Sequence, residues 1–132
     1  IQLDGNTVLW ASKKQKTVAQ STAEAEYMSM AAAVSEAMWL RNLCGELGVR
    51  VQLPIRLLCD NQAAIRISSP DTPVSHSRCK HIDVRHHYVR ELVDNGIVAV
   101  EWIATQRQLA DACTKALSKQ TFSTLTQAIM NA

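Results

Sequence analysis

The chain has 132 residues, 47% of them hydrophobic, and a formal net charge of +2. That length fits a single domain with a real core, and so small a net charge says little on its own, since non-specific binding of nucleic acid needs clustered cations and not a small net excess. The four cysteines, at positions 44, 59, 79 and 113, form no C-x-x-C pair, and the sequence shows neither a secretory signal nor a membrane-length apolar run; it reads as an intracellular protein, cytoplasmic or nuclear, with four free thiols.

Ile1-Gln2-Leu3-Asp4-Gly5-Asn6-Thr7-Val8-Leu9-Trp10 places Asp-Gly between two apolar stretches, a hairpin signal. The chain thus starts inside a strand, which suggests a piece of something longer. Ser12-Lys13-Lys14-Gln15-Lys16 follows as a short basic run, either a solvated loop or a phosphate-contacting one. Ser21 with Glu24 three residues on is a capping-box pattern, and the helix it opens is expected to run to about Gly48, with a bend possible at Gly45. Between Met28 and Leu40 it is almost free of charge, which predicts burial on most sides. Glu26 shares a stripe with Met30, Ala33 and Ala37. A carboxylate there is either functional or a helix-dipole group in the polar first turn, and the pattern leaves both readings open.

After Pro54, Ile55-Arg56-Leu57-Leu58-Cys59 reads as a short strand with Asp60 at its carboxyl end, followed by Asn61 and a helical stretch, Gln62 to Ile67. Ligands of α/β sheets gather at such strand ends. The plainer role for Asp60 is a helix N-cap. Residues 68–77 read as a loop, and His76-Ser77-Arg78-Cys79-Lys80-His81 is rich in cationic side chains. The spacing of His76, Cys79, His81 and His86 matches no standard zinc finger, so a basic surface for phosphates is the better reading.

A helix from Ile82 to Asn95, ended by Gly96, precedes a strand of β-branched and aromatic type, Ile97 to Ile103. The turn Ala104 to Arg107 leads to a last helix whose apolar face is expected to be Leu109, Ala112, Cys113 and Ala116. Asp111 lies in its first turn, off that face, where a carboxylate favours the helix dipole. Phe122, Leu125 and Ile129 keep helical spacing in the tail. Glu26, Asp60 and Asp111 thus each stand where apolar neighbours suggest partial burial. An unpartnered buried carboxylate costs several kcal/mol, roughly, so such acids usually have a partner or a metal; hard cations such as Mg²⁺ take oxygen ligands.

Six motifs occur in order: Trp10-x-Ser12-Lys13-Lys14-Gln15, Ser21-Thr22-x-Glu24-Ala25-Glu26-Tyr27, Trp39-Leu40, Asp60-Asn61, Lys80-His81-Ile82 and Ala110-Asp111-x-x-Thr114-Lys115. Together, and over nearly the whole chain, they resemble the ribonuclease H domain at the carboxyl end of copia-type retrotransposon polyproteins. The resemblance implies an α/β, ribonuclease H-like fold: a mixed sheet of five strands with flanking helices, its first three strands antiparallel. It implies cleavage of the RNA strand of RNA–DNA hybrids with two Mg²⁺ ions, for which Mn²⁺ can substitute, and a reverse transcriptase domain in the same polyprotein.

Four acids hold the metals in that family. Glu26 matches the one in the first long helix, Asp60 the one ending the fourth strand, and Asp111 the one in the last helix. The first acid would lie on a strand before Ile1, and Asp4, in the hairpin turn, is no substitute. The loop 104–108 also lacks the histidine that many cellular ribonucleases H carry there. Contacts to the hybrid are expected from Lys13, Lys14, Arg78, Lys80 and Thr105, through phosphates and the 2′-hydroxyl. With one acid absent, the 132-residue chain is expected to cleave weakly or not at all. The other reading is a non-catalytic or domesticated remnant that keeps the fold to bind nucleic acid or protein.

Overall fold

The computed structural model describes residues 1–15, 18–19, 21–69, 71 and 80–130, with residues 80–86 described by their backbone alone. The backbone divides into two compact units, Ala19–Trp102 and a second made of Ile1–Val18 with Ile103–Ala132.

The larger unit begins at the expected cap. Ser21 has extended backbone and its Oγ accepts the Glu24 N–H at 3.1 Å, opening α1 (Thr22–Glu46). The helix does not break at Gly45. It closes one turn later with Gly48 and Val49 donating back to the Gly45 and Cys44 carbonyls. Its near-uniform apolar sequence does not translate into burial all round. Tyr27, Met28, Met30, Ala31, Val34 and Cys44 are buried, whereas Ser29, Ala32, Ser35 and Asn42 are exposed and Trp39 is 57% exposed. Small and polar residues, rather than charges, mark the outward face, which is why a charge-based reading misses it.

The strand β1 of this unit, Ile55–Cys59, lies parallel to β2, Val98–Trp102, with Ile55 opposite Val98 and Cys59 opposite Trp102. Parallel neighbours need a long crossover, and here α2 (Gln62–Ser68) and α3 (Lys80–Asp94) lie between them in the chain. Gly96, at φ +65, ends α3 in the left-handed region and donates to the Val93 carbonyl, while Ile97 donates to Leu92; this launches β2 directly. Outside the covered face, Arg56 forks onto Glu101 across the two strands at 2.7 to 3.0 Å, an exposed pair that lowers the Glu101 carboxyl below its usual range.

Three contiguous clusters fill the space between α1, α2, α3 and the sheet. Tyr27 and Ala31 pack on Val89; Met30 packs on Cys59 and Ala64; Val34 packs on Leu92 and Val98. Arg90 adds a polar tie, donating from Nε to the Ile67 carbonyl at 3.1 Å and from Nη2 to the Ser69 carbonyl at 2.7 Å, which anchors the end of α2 on α3. Full burial raises the Tyr27 hydroxyl to about 12, with Arg90 opposing that rise, and burial also raises the Cys59 thiol. Both folded-state values lie above those of the unfolded chain, so the folded state retains protons that the unfolded state loses. Stability should therefore hold below about pH 9 and fall as pH rises through 10 towards 12. Urea midpoints measured from pH 8 to 11.5 should show that fall, and Tyr27→Phe should flatten its upper part; an unchanged slope in the variant would remove Tyr27 as its source.

The smaller unit opens with the expected hairpin. Its strands β3, Gln2–Leu3, and β4, Asn6–Thr7, pair antiparallel around Asp4 and Gly5, both at positive φ, as a tight two-residue hairpin turn demands. A short 3₁₀ turn (Thr105–Arg107), α4 (Asp111–Thr114) and α5 (Lys119–Met130) complete it. Thr7 Oγ1 donates to the Ile129 carbonyl at 2.8 Å, tying the hairpin to α5. Here the last helix divides in two, because Lys115 is already extended. Ala116, expected on an apolar helix face, is exposed beyond the end of α4. The described residues form two two-stranded sheets, one antiparallel in this unit and one parallel in the larger. The architecture is mixed α/β.

Candidate metal centre

The carboxyl end of β1 is the chemically richest place in the larger unit. Cys59, 2% exposed, is its last residue, and Asp60 follows, half-buried. The cap of α2 is not Asp60 but Asn61, whose Oδ1 accepts the Ala63 and Ala64 N–H groups at 3.0 and 3.1 Å. Capping a helix therefore does not account for the Asp60 carboxylate. The Asn61 N–H donates to Cys59 Sγ at 3.4 Å, which fixes the turn between strand and helix.

Glu26 reaches the same neighbourhood from α1. It is half-buried, one helical turn before Met30, and Met30 packs on Cys59 and Ala64, the residues that flank the turn. The thiol of Cys59 registers both acids. Burial is the main cause of its raised value and the Asn61 backbone opposes it, but the negative charges of Glu26 and of Asp60 each push it further up. Two carboxylates thus act on one buried sulfur at a strand end.

Asp111 belongs to the smaller unit. It is buried, 6% exposed, rather than lying off the packed face. The reason is local pairing: Lys115 Nζ stands 2.9 Å from both Oδ1 and Oδ2, and the Lys115 N–H also donates to the Asp111 carbonyl. Lys115 is absent from the sequence-based candidates, although its i, i+4 spacing from Asp111 is the usual mark of such a pair. Among the described residues, no group of three or more His, Cys, Asp and Glu side chains is arranged to hold a metal ion.

The donor set fits a hard cation better than a soft one. Burial keeps the Cys59 thiol protonated at neutral pH, and the other donors from this strand end and α1 are carboxylate oxygens. Mg²⁺ is commonly held by one or two carboxylates together with water and substrate phosphates, and Glu26 with Asp60 supplies that number. Cys44, Cys59 and Cys113 are free thiols, and Cys79 lies outside the described residues, as do His76 and Arg78. Of the other residues expected to meet a hybrid, Lys13, Lys14 and Thr105 are exposed in the smaller unit. Lys80 is the first residue of α3, its side chain lying outside the description with those of His81 and His86. Among the described residues, no helix is long and apolar enough to cross a membrane.

Over 122 residues, 92% of its length, the chain is 42% identical to the retrovirus-related Pol polyprotein from transposon RE1 of Arabidopsis thaliana, of which it spans 8%. It is 40% identical over 129 residues to that from transposon RE2 of the same plant, and 41% identical over 118 residues to that from transposon TNT 1-94 of Nicotiana tabacum, spanning 9% of each. No protein-family profile and no solved structure matches it. The chain is therefore related over most of its length to a segment of retrotransposon Pol polyproteins, and it spans less than a tenth of each of these three relatives.

Proposed function

We propose that this segment is the ribonuclease H part of a retrotransposon Pol polyprotein, hydrolysing the RNA strand of RNA–DNA hybrids with Mg²⁺. What supports the reading is the similarity to Pol polyproteins over most of the chain, together with the place of Asp60 just after the last residue of β1 and the packing of α1, through Met30, on Cys59 there. Parallel strands in α/β units present ligand sites at that end, and homology to Pol polyproteins supplies the context in which a hybrid nuclease is used.

In this reading Glu26 and Asp60 are ligands rather than nucleophiles, and the resemblance gives Asp111, in the smaller unit, the same role. When bound, the metal pair would activate a water and stabilise the leaving 3′ oxygen. The chain's own contribution is placement. Asn61 fixes the turn that presents Asp60, and Met30 sets the register of α1 that presents Glu26. Exposed Lys13, Lys14 and Thr105, with Arg78 and Lys80, would meet the backbone of the hybrid. Recognition there rests on phosphates and the 2′-hydroxyl.

The test is gel cleavage of an end-labelled RNA–DNA hybrid with Mg²⁺ or Mn²⁺. Two proteins should be compared: the 132-residue chain, and the chain joined to upstream polyprotein sequence carrying a strand with an Asp, a further neighbour for the sheet and a fourth acid for the metals. The extended form should cleave at least about 100-fold faster, a step of the size seen when a key charge-stabilising group is supplied. Hybrid binding without cleavage in both forms, with or without metal, would favour the binding-module reading instead.

A further inference from the structure

We propose that Trp102 seats a ribose ring of the hybrid at the carboxyl end of the parallel sheet and so helps to tell RNA from DNA; the inference rests on the reading of that end as the place where the hybrid is held. Trp102 closes β2 directly opposite Cys59. Residues opposite each other in a sheet project to one face, as do alternate residues along a strand, so Trp102 shares the face of Cys59, Val100 and Val98. That face is the one α1 covers. Met30 packs on Cys59 and Val34 on Val98, so α1 runs antiparallel to the strands and its first turn lies at their carboxyl ends. Val98 is 2% exposed and Trp102 59%. The helix cover thus gives out along β2 and leaves the indole bare at the rim. Asp60 leaves β1 just past the residue that Trp102 faces, and Glu26 stands one turn of α1 before Met30.

A ring so exposed adds little to the core. What it offers instead is a flat apolar face with one N–H donor, beside a turn that carries a carboxylate. A bare phosphate gains nothing from that combination, because the carboxylate repels it and the ring face carries no cation. A base inside a duplex has both faces stacked on its neighbours and cannot reach the indole. A sugar fits. The C–H groups of a ribose pack on an aromatic face, and the wide, shallow minor groove of an A-form duplex displays riboses with their 2′-hydroxyls. That hydroxyl can donate to a carboxylate or accept from the indole N–H. A deoxyribose keeps the ring contact and loses the polar one, so the site favours the RNA strand.

The test uses the full chain and two readouts, with every variant checked for folding by circular dichroism. In the first, Trp10→Phe with Trp39→Phe leaves Trp102 as the sole tryptophan, since the chain has three. A saturating RNA–DNA hybrid in Mg²⁺ should quench its fluorescence, and a DNA duplex of the same sequence should need at least about fivefold higher concentration to do so. In the second, binding of both duplexes is compared for wild type, Trp102→Leu and Trp102→Phe. Trp102→Leu should bind the hybrid at least about fivefold more weakly, the low end of what a stacked aromatic contributes, while its affinity for the DNA duplex changes less. Trp102→Phe keeps the ring face and should recover most of the hybrid affinity, which a loss of packing alone would not give. Hybrid binding that leaves Trp102 unquenched, or equal weakening of hybrid and DNA duplex in Trp102→Leu, would overturn the ribose contact while leaving the nuclease reading in place. Quenching and RNA preference without cleavage, even in the chain extended upstream, would uphold the contact and remove the nuclease reading. No binding of the hybrid would remove both.

Discussion

Asp60→Asn should lower Mn²⁺-supported hybrid cleavage by at least about 100-fold in the chain extended upstream, a loss of transition-state stabilisation of about 2.7 kcal/mol or more. The substitution keeps the shape of the side chain and one carbonyl oxygen, and removes the charge that a hard cation needs. It should leave the fold intact, because Asn61, not Asp60, caps α2. That division of labour between two adjacent residues makes the experiment clean. Asn61→Ala provides the opposite control: it should cost about 1 kcal/mol of stability through the lost cap, while leaving every metal carboxylate in place. Circular dichroism and urea melts separate the two, and cleavage rates should rank wild type, then Asn61→Ala, then Asp60→Asn. Cleavage unchanged in Asp60→Asn would show that this acid takes no part in the chemistry.

Local signals in the sequence translated well where a single residue decides the backbone. Asp4-Gly5 turns the hairpin, Ser21 caps α1, and Gly96 stops α3 and starts β2 within one residue of the expected boundaries. The strand from Ile55 to Cys59 has its expected limits, because a short β-branched and leucine run between Pro54 and Asp60 has few other choices.

Properties that depend on what lies across space were not legible. A helix with no charge from Met28 to Ser35 gives no clue to which side faces out, so the exposure of Trp39 and Ala32 had no local mark. For Asp111 the apolar neighbours gave partial burial and the i, i+4 spacing to Lys115 was there to be read; how fully the side chain is buried was not. The contact of Met30 with Cys59, which brings α1 onto the carboxyl end of β1, joins residues 29 positions apart in the chain and has no local mark.

That packing yields the last and most discriminating expectation. Met30→Ala and Leu92→Ala each delete a buried side chain from this core, and each should cost about 2–4 kcal/mol by lost transfer energy and the cavity left behind. For a chain of this size that lowers the melting temperature by roughly 6–16 °C. In stability the two variants should look alike. They should differ in metal binding. Met30 holds α1 against Cys59 and Ala64, the two residues on either side of the Asp60 turn, whereas Leu92 packs with Val34 and Val98, further along α1 and at the opposite end of β2. At a temperature where both remain folded, Met30→Ala should weaken Mn²⁺ binding several-fold, because the turn of α1 that carries Glu26 loses its seat. Leu92→Ala should stay within about twofold of wild type, because Leu92 belongs to a different cluster from Cys59 and Ala64 and the residues the two clusters share, Leu57 and Val100, stay in place. Equal weakening in both would tie Mn²⁺ affinity to the stability of the whole unit and not to the junction of α1 with the end of β1; no weakening in Met30→Ala would detach Glu26 from the metal altogether.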